Sequence, residues 1–126
     1  MKRIFTLFII TVLCICKANN STAQVNVNDS LALVDLYNST DGAHWTNHSG
    51  WLQGPVNNWY GVSLSNGRVF ALYLDYNNLN GTLPSSIGNI SAMYSSQMGG
   101  NKISGTIPST IGKLANLNGF SLYDNQ

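Results

Sequence analysis

The chain has 126 residues, of which only 9% are charged; glutamate is absent, and asparagine and glycine are abundant. A chain of that length makes one domain. With the first 23 residues set aside, Arg68, Lys102 and Lys113 stand against Asp29, Asp35, Asp41, Asp75 and Asp124, a balance of −2 that cannot neutralise a run of phosphates and excludes nucleic acid as a partner.

Residues 1–23 read as a secretory signal. Lys2 and Arg3 form its positive start, and Ile4 to Cys16 an apolar run of 13 residues. Such a run is too short to span a bilayer but suits a signal core. Ser21 and Ala23 supply a small-x-small cleavage site, so the mature chain is expected to begin at Gln24. A membrane anchor is the competing reading, and the short run argues against it. A lipoprotein signal fits less well, because Cys14 and Cys16 follow the bulky Leu13 and Ile15. Both cysteines fall inside this segment, so the mature chain is expected to hold no disulfide.

Residues 24–68 read as an N-terminal cap. Asp29 and Ser30 are placed to cap a short helix in which Leu33, Leu36 and Tyr37 form one apolar stripe. Thr40-Asp41-Gly42 ends it. Trp45, Trp51 and Trp59 follow, three indoles that bury much apolar area and can seal the end of a stack of repeats. Val62 and Leu64 then alternate as a strand. Asn66-Gly67 supplies a tight hairpin turn, and Arg68 to Leu74 returns as the next strand.

From residue 69 onward the sequence repeats. Val69, Leu72, Leu74, Asn77, Leu79, Gly81, Leu83, Pro84, Ile87, Gly88 and Ile90 return 24 residues later as Met93, Ser96, Met98, Asn101, Ile103, Gly105, Ile107, Pro108, Ile111, Gly112 and Leu114. A third copy starts at Leu117, Phe120, Leu122 and Asn125 and is truncated at Gln126. A fixed period of this size marks a solenoid, whose units each leave an apolar face for the next to cover. Within one copy, the alternation of Leu72 and Leu74 predicts a strand with one buried face. Asn77 sits where the chain turns, and its amide can satisfy turn backbone; Asn77, Asn101 and Asn125 are expected to stack as a ladder. Pro84 and Pro108 suit the start of a new segment, and Ile87, Ile90, Ile111 and Leu114 close the convex side. Ser96 replaces a leucine; its hydroxyl is expected to bond locally to backbone, and the repeat to pack less tightly there.

The pattern LxLxxNxLxGxLPxxIGxI resembles the leucine-rich repeat family, in the 24-residue form of plant receptor ectodomains and many bacterial surface proteins. That resemblance implies an α/β solenoid: a right-handed superhelix with a parallel concave sheet, a small helical and hairpin cap over residues 24–68, and repeats over 69–126, two complete and a third truncated. Caps of secreted eukaryotic members usually hold a cysteine pair around a WxGVxC motif. Here the matching stretch is Asn58-Trp59-Tyr60-Gly61-Val62-Ser63-Leu64, with Asn58 and Leu64 in the cysteine places. The cap is therefore expected to be held by apolar burial alone, which favours a bacterial over a plant origin.

Family members usually bind proteins or peptides, sometimes glycans, on the concave face. In register, the outward columns are Tyr73, Gln97 and Ser121; Asp75, Gly99 and Tyr123; and Tyr76, Gly100 and Asp124. Ligand contact is expected from Tyr73, Asp75, Tyr76, Gln97, Tyr123 and Asp124, since tyrosines and small polar residues make adaptable surfaces. No catalytic residue, cofactor or metal is expected. His44 and His48 lie in a Gly- and Trp-rich loop with no carboxylate or thiol set beside them. Asp75 and Asp124, the acids of the repeats, lie two units apart, and there is neither a nucleophile elbow nor a phosphate loop. Sequons such as Asn38-Ser39-Thr40 and Asn80-Gly81-Thr82 are what an asparagine-rich chain contains by chance. The expected protein is a secreted or cell-surface, non-catalytic binding module of a longer receptor or adhesin. The alternative is a structural surface repeat or spacer without a specific ligand. A further expectation is that more 24-residue units follow Gln126.

Overall fold

The computed structural model describes residues 24–126; the signal reading of residues 1–23 lies outside them. Helix α1 (Val27–Ser39) opens the cap. Its N-cap is Asn26, whose side chain accepts from the backbone N–H groups of Asn28 at 2.9 Å and Asp29 at 3.4 Å, and not the expected Asp29 or Ser30. An asparagine three residues upstream satisfies the same orphan donors, and this frees Asp29 for another task. Ala32, Leu33 and Leu36 are buried on the inner stripe, with Tyr37 packed beside them. Thr40 ends the helix, its hydroxyl donating to Leu36 O at 2.6 Å.

After a 3₁₀ turn at Gly42–His44, the three tryptophans converge. The Trp45 and Trp51 ring centroids lie 4.8 Å apart, edge to face, and those of Trp51 and Trp59 4.9 Å apart. Tyr37 stacks on Trp51 at 5.8 Å. Trp45 donates its indole N–H to Thr40 O and Trp51 to Tyr60 O, both at 2.9 Å, so these rings bury area without stranding their polar edge.

Strand β1 (Val62–Ser65) and strand β2 (Arg68–Tyr73) form the expected antiparallel hairpin. Asn66 at φ 49° and Gly67 at φ 72° give the two positive φ values that a tight hairpin turn requires. Strand β3 (Asn80–Thr82), strand β4 (Ser95–Gln97), strand β5 (Lys102–Ser104) and strand β6 (Gly119–Ser121) follow. The main sheet runs β1-β2-β4-β6, and its β2, β4 and β6 are parallel, Leu72 pairing with Ser96 and Ser96 with Phe120. Strands β3 and β5 form a second, two-stranded parallel sheet just past the asparagine turn, a feature that three-residue strands with no run of β-branched residues do not announce. Pro84 and Pro108 each precede a 3₁₀ turn, at Ser85–Asn89 and Ser109–Lys113, and the two turns pack against each other.

Between the layers lie Val69, Leu72, Leu74, Leu79, Ile87, Ile90, Met93 and Met98, all fully buried, in one cluster with the cap tryptophans. At the far end Ile111, Leu117, Phe120 and Leu122 are only partly buried.

The asparagine ladder is present and longer than expected. Asn101 accepts on Oδ1 from Asn77 N and Leu79 N and donates from Nδ2 to Leu74 O, Met98 O and Gly99 O. Asn125 repeats the pattern one unit on. Asn77 carries it into the cap, accepting from Asn47 N at 2.7 Å and donating to Asn47 O at 2.9 Å.

Two expectations about the interior are corrected. The cap is not held by apolar burial alone. Asp29, fully buried, accepts from Arg68 Nε and Nη2 at 2.8 and 2.9 Å and from Val69 N at 2.9 Å. This joins the first turn of α1 to the start of β2. Ser96, also fully buried, makes no local backbone bond: its hydroxyl has no partner among the described residues. The backbone groups around it are already used by strand pairing with β2 and β6. A buried hydroxyl left unpaired costs about 1–3 kcal/mol, so Ser96→Ala is expected to stabilise the fold by about 1 kcal/mol. A urea midpoint that falls instead would show that the hydroxyl has a partner.

Candidate functional site

The strand register decides which side chains leave the core. Leu72, Ser96 and Phe120 point inward, so by alternation Tyr73, Gln97 and Ser121 lie on the opposite face together with Ala71, Ser95 and Gly119. Tyr73 is 48% exposed and Gln97 is exposed beside it.

Past the strand ends the 24-residue register continues. Tyr76 N donates to Gly99 O at 2.9 Å and Gly100 N to Tyr123 O at 2.8 Å. Asp75 is tied down, its Oδ1 accepting from Gly99 N at 2.6 Å. Two tyrosine rings rest on the glycine pair: a Cβ on Gly100 would collide with the Tyr76 ring, and one on Gly99 with the Tyr123 ring. The absent side chains make the floor on which the aromatics lie. The two rings stand 6.1 Å apart at 67°. Tyr76 remains 66% exposed, and Tyr123 48%. Tyr76 has φ 52°, in the column where Gly100 has φ 64° and Asp124 φ 52°. A bulky residue in that left-handed region is an outlier, and the next copy uses glycine at the same place.

The Tyr123 phenol is pushed up to about 12, first by the neighbouring Tyr76 hydroxyl, then by burial and by the Tyr76, Asp75 and Asp124 charges. It stays neutral at physiological pH. Of the six expected contact residues, Tyr73 and Gln97 pair across β2 and β4, Asp75, Tyr76 and Tyr123 meet past the strand ends, and Asp124 follows Tyr123 and lines a depression with Ile103, Ile107 and Leu122.

Sequence reasoning missed a second aromatic pair. Phe70 and Tyr94 stack with centroids 5.2 Å apart and planes 3° apart, and both are partly exposed. They occupy the position after the first apolar residue of the LxxLxL pattern. Their 24-residue spacing was the available signal, hidden because the third copy has Asn118 there. The histidines go separate ways. Contrary to the expectation of no carboxylate beside them, His44 Nδ1 sits 2.8 Å from Asp41 Oδ1, a contact that raises its pKa through the hydrogen bond and then the charge, while His48 packs edge-on against Tyr37. Among the described residues, no three His, Cys, Asp or Glu side chains gather as metal ligands would.

Residues 69–90 match the family model for the leucine-rich repeat. The fold is similar to the LRR ectodomain of the receptor kinase SOBIR1 from Arabidopsis thaliana, with 21% identity and a TM-score of 0.62 over 82% of this chain and 56% of that one. It is also similar to a plant ice-binding protein (17% identity, TM-score 0.57, 82% of this chain and 42% of that one). A third likeness is to the PEPR1–AtPEP1 structure (20% identity, TM-score 0.50, 77% of this chain and 18% of that one). The chain therefore spans about half the length of the SOBIR1 ectodomain and less of the other two. Comparison with curated proteins gives no match. The leucine-rich repeat resemblance read from the 24-residue pattern holds in both the family match and the fold.

Proposed function

We propose that this chain is a non-catalytic recognition module whose outer sheet face binds an extracellular protein or peptide, with a glycan as the other ligand class the resemblance allows. In this reading the module is secreted or held at the cell surface, coils in the right-handed sense of leucine-rich repeats, and forms part of a longer receptor or adhesin. The secretory reading rests on the basic start, short apolar run and Ser21/Ala23 site of residues 1–23.

The observation that carries the proposal is the gathering of exposed aromatics on one face. Tyr73 stands out of the sheet beside the exposed Gln97, and Tyr76 and Tyr123 stand exposed just past the strand ends; exposed apolar groups gathered in one patch mark interaction sites. Tyrosine adds area at a low entropic cost and hydrogen-bonds at its tip. Tyr76 keeps its ring there at the expense of a left-handed backbone. Residues in such conformations cluster at functional sites. Fold likeness alone does not choose the ligand, because a receptor kinase ectodomain and an ice-binding protein share it. The face residues must choose.

A random peptide library selected against the folded chain tests this reading. Enriched peptides should lose binding to Tyr73→Ala and Tyr123→Ala, both of which should unfold at the wild-type midpoint. Leu74→Ala, by contrast, should lose about 2–5 kcal/mol of stability through a core cavity. If the two tyrosine variants unfold as Leu74→Ala does, the strand register is off by one residue. If no peptide is enriched, or enriched peptides bind the variants undiminished, the spacer alternative replaces this reading.

A further inference from the structure

The two tyrosines at the end of the outer face form a corner. Their rings meet at 67° with centroids 6.1 Å apart, and both remain exposed. The Asp75 carboxylate sits at Gly99, against which the Tyr123 ring rests, and Asp124 follows Tyr123 in the chain; both charges act on the Tyr123 hydroxyl. Asp75 is fixed by its bond from Gly99 N, and Asp124 is exposed. Of the described cations, Arg68 is paired with Asp29, Lys102 opens β5 two residues past Gly100, and Lys113 ends the second 3₁₀ turn.

Each element of that corner selects for positive charge. An aromatic face attracts a cation through its quadrupole. Carboxylates beside it add a coulombic pull. A neutral sugar would use the rings but not the carboxylates, and an acidic peptide would be repelled by them. We infer that the corner of Tyr76, Tyr123, Asp75 and Asp124 receives a cationic side chain, an arginine guanidinium or lysine ammonium, from a peptide or protein partner. The inference rests on the reading of the outer face as a recognition surface and gives that surface a chemical preference. Arginine fits best, because its planar guanidinium stacks on a ring while its N–H fork reaches a carboxylate.

The test uses a capped pentapeptide with a central arginine among glycines, and the same peptide with citrulline, which keeps the shape and removes the charge. NMR titration follows the ring protons of Tyr76 and Tyr123. The arginine peptide should shift both rings saturably and bind about fivefold or more tightly than the citrulline peptide. In the Asp75→Asn, Asp124→Asn double variant that preference should fall close to one. Asparagine keeps an oxygen for Gly99 N, so the corner itself should survive, as unchanged Tyr76 and Tyr123 shifts in the free variant would show. Equal affinity for the two peptides overturns the inference, as does the absence of ring shifts with either. Library-selected peptides that bind the outer face without any arginine or lysine would sink the inference and leave the recognition reading standing. Loss of all peptide binding to the face would remove both.

Discussion

Replacing Asn101 with alanine should remove a large share of the stability of this fold. One side chain accepts from two backbone N–H groups and shares its two amide N–H groups among three carbonyls, spanning two adjacent repeats. The residue is buried, so water cannot replace those bonds without opening the turn. At about 1 kcal/mol net for each N–H donor, the loss is about 4 kcal/mol, against a total of about 5–15 kcal/mol for a domain. Chemical denaturation should show either an unfolded chain or a transition displaced to low urea. Asn125→Ala removes a similar set of bonds at a half-exposed site, where water substitutes, and should cost less than half as much. Equal losses at the two positions would mean that burial does not set the strength of the ladder.

Arg68→Ala should be nearly as damaging, by a different route. Asp29 is fully buried, while the Arg68 side chain is 32% exposed. Truncating the arginine leaves a buried carboxylate with only Val69 N as a partner, and breaking a buried pair in this way costs about 3–5 kcal/mol. Arg68 also donates to Ser91 Oγ at 2.8 Å, so the same change loosens the cap from the segment leading to β4. Asp29→Ala should cost less, because the freed guanidinium can turn toward water. Thermal unfolding of the two variants decides the point: a larger loss for Asp29→Ala would mean that the bond to Val69 N, and not the charge, governs the cap.

The repeat architecture was readable because one period fixes many positions together. A 24-residue spacing that places Leu72, Asn77, Pro84 and Ile87 in copies also places the sheet, the ladder and the segment starts at the prolines, though not the 3₁₀ form of those segments. The cap was readable in part. Its tryptophans and Asn66-Gly67 turn announce themselves by composition, but an aspartate ahead of an apolar run looks like a helix cap whether or not it is one. Its true partner, Arg68, is 39 residues away, and only the folded chain brings them together. Ser96 failed for the opposite reason: sequence shows that a hydroxyl is buried there but not that strand pairing has already consumed the neighbouring backbone. At the candidate surface the tyrosine columns were legible from the register. The corner made by Tyr76 and Tyr123 was not, because it depends on two rings folding back over Gly99 and Gly100. The Phe70–Tyr94 stack was not legible either, because the third copy breaks the aromatic column with Asn118.

The central claim, that the outer sheet face and not the cap meets the partner, is tested most directly by hydroxyl-radical footprinting with a library-selected peptide. Tyr73, Tyr76 and Tyr123 start exposed there, while Val27 and Leu31 start exposed on helix α1. Bound peptide is expected to slow oxidation of the three tyrosines and to leave Val27 and Leu31 at their free rates. Protection of Val27 or Leu31 with the three tyrosines unchanged would contradict it.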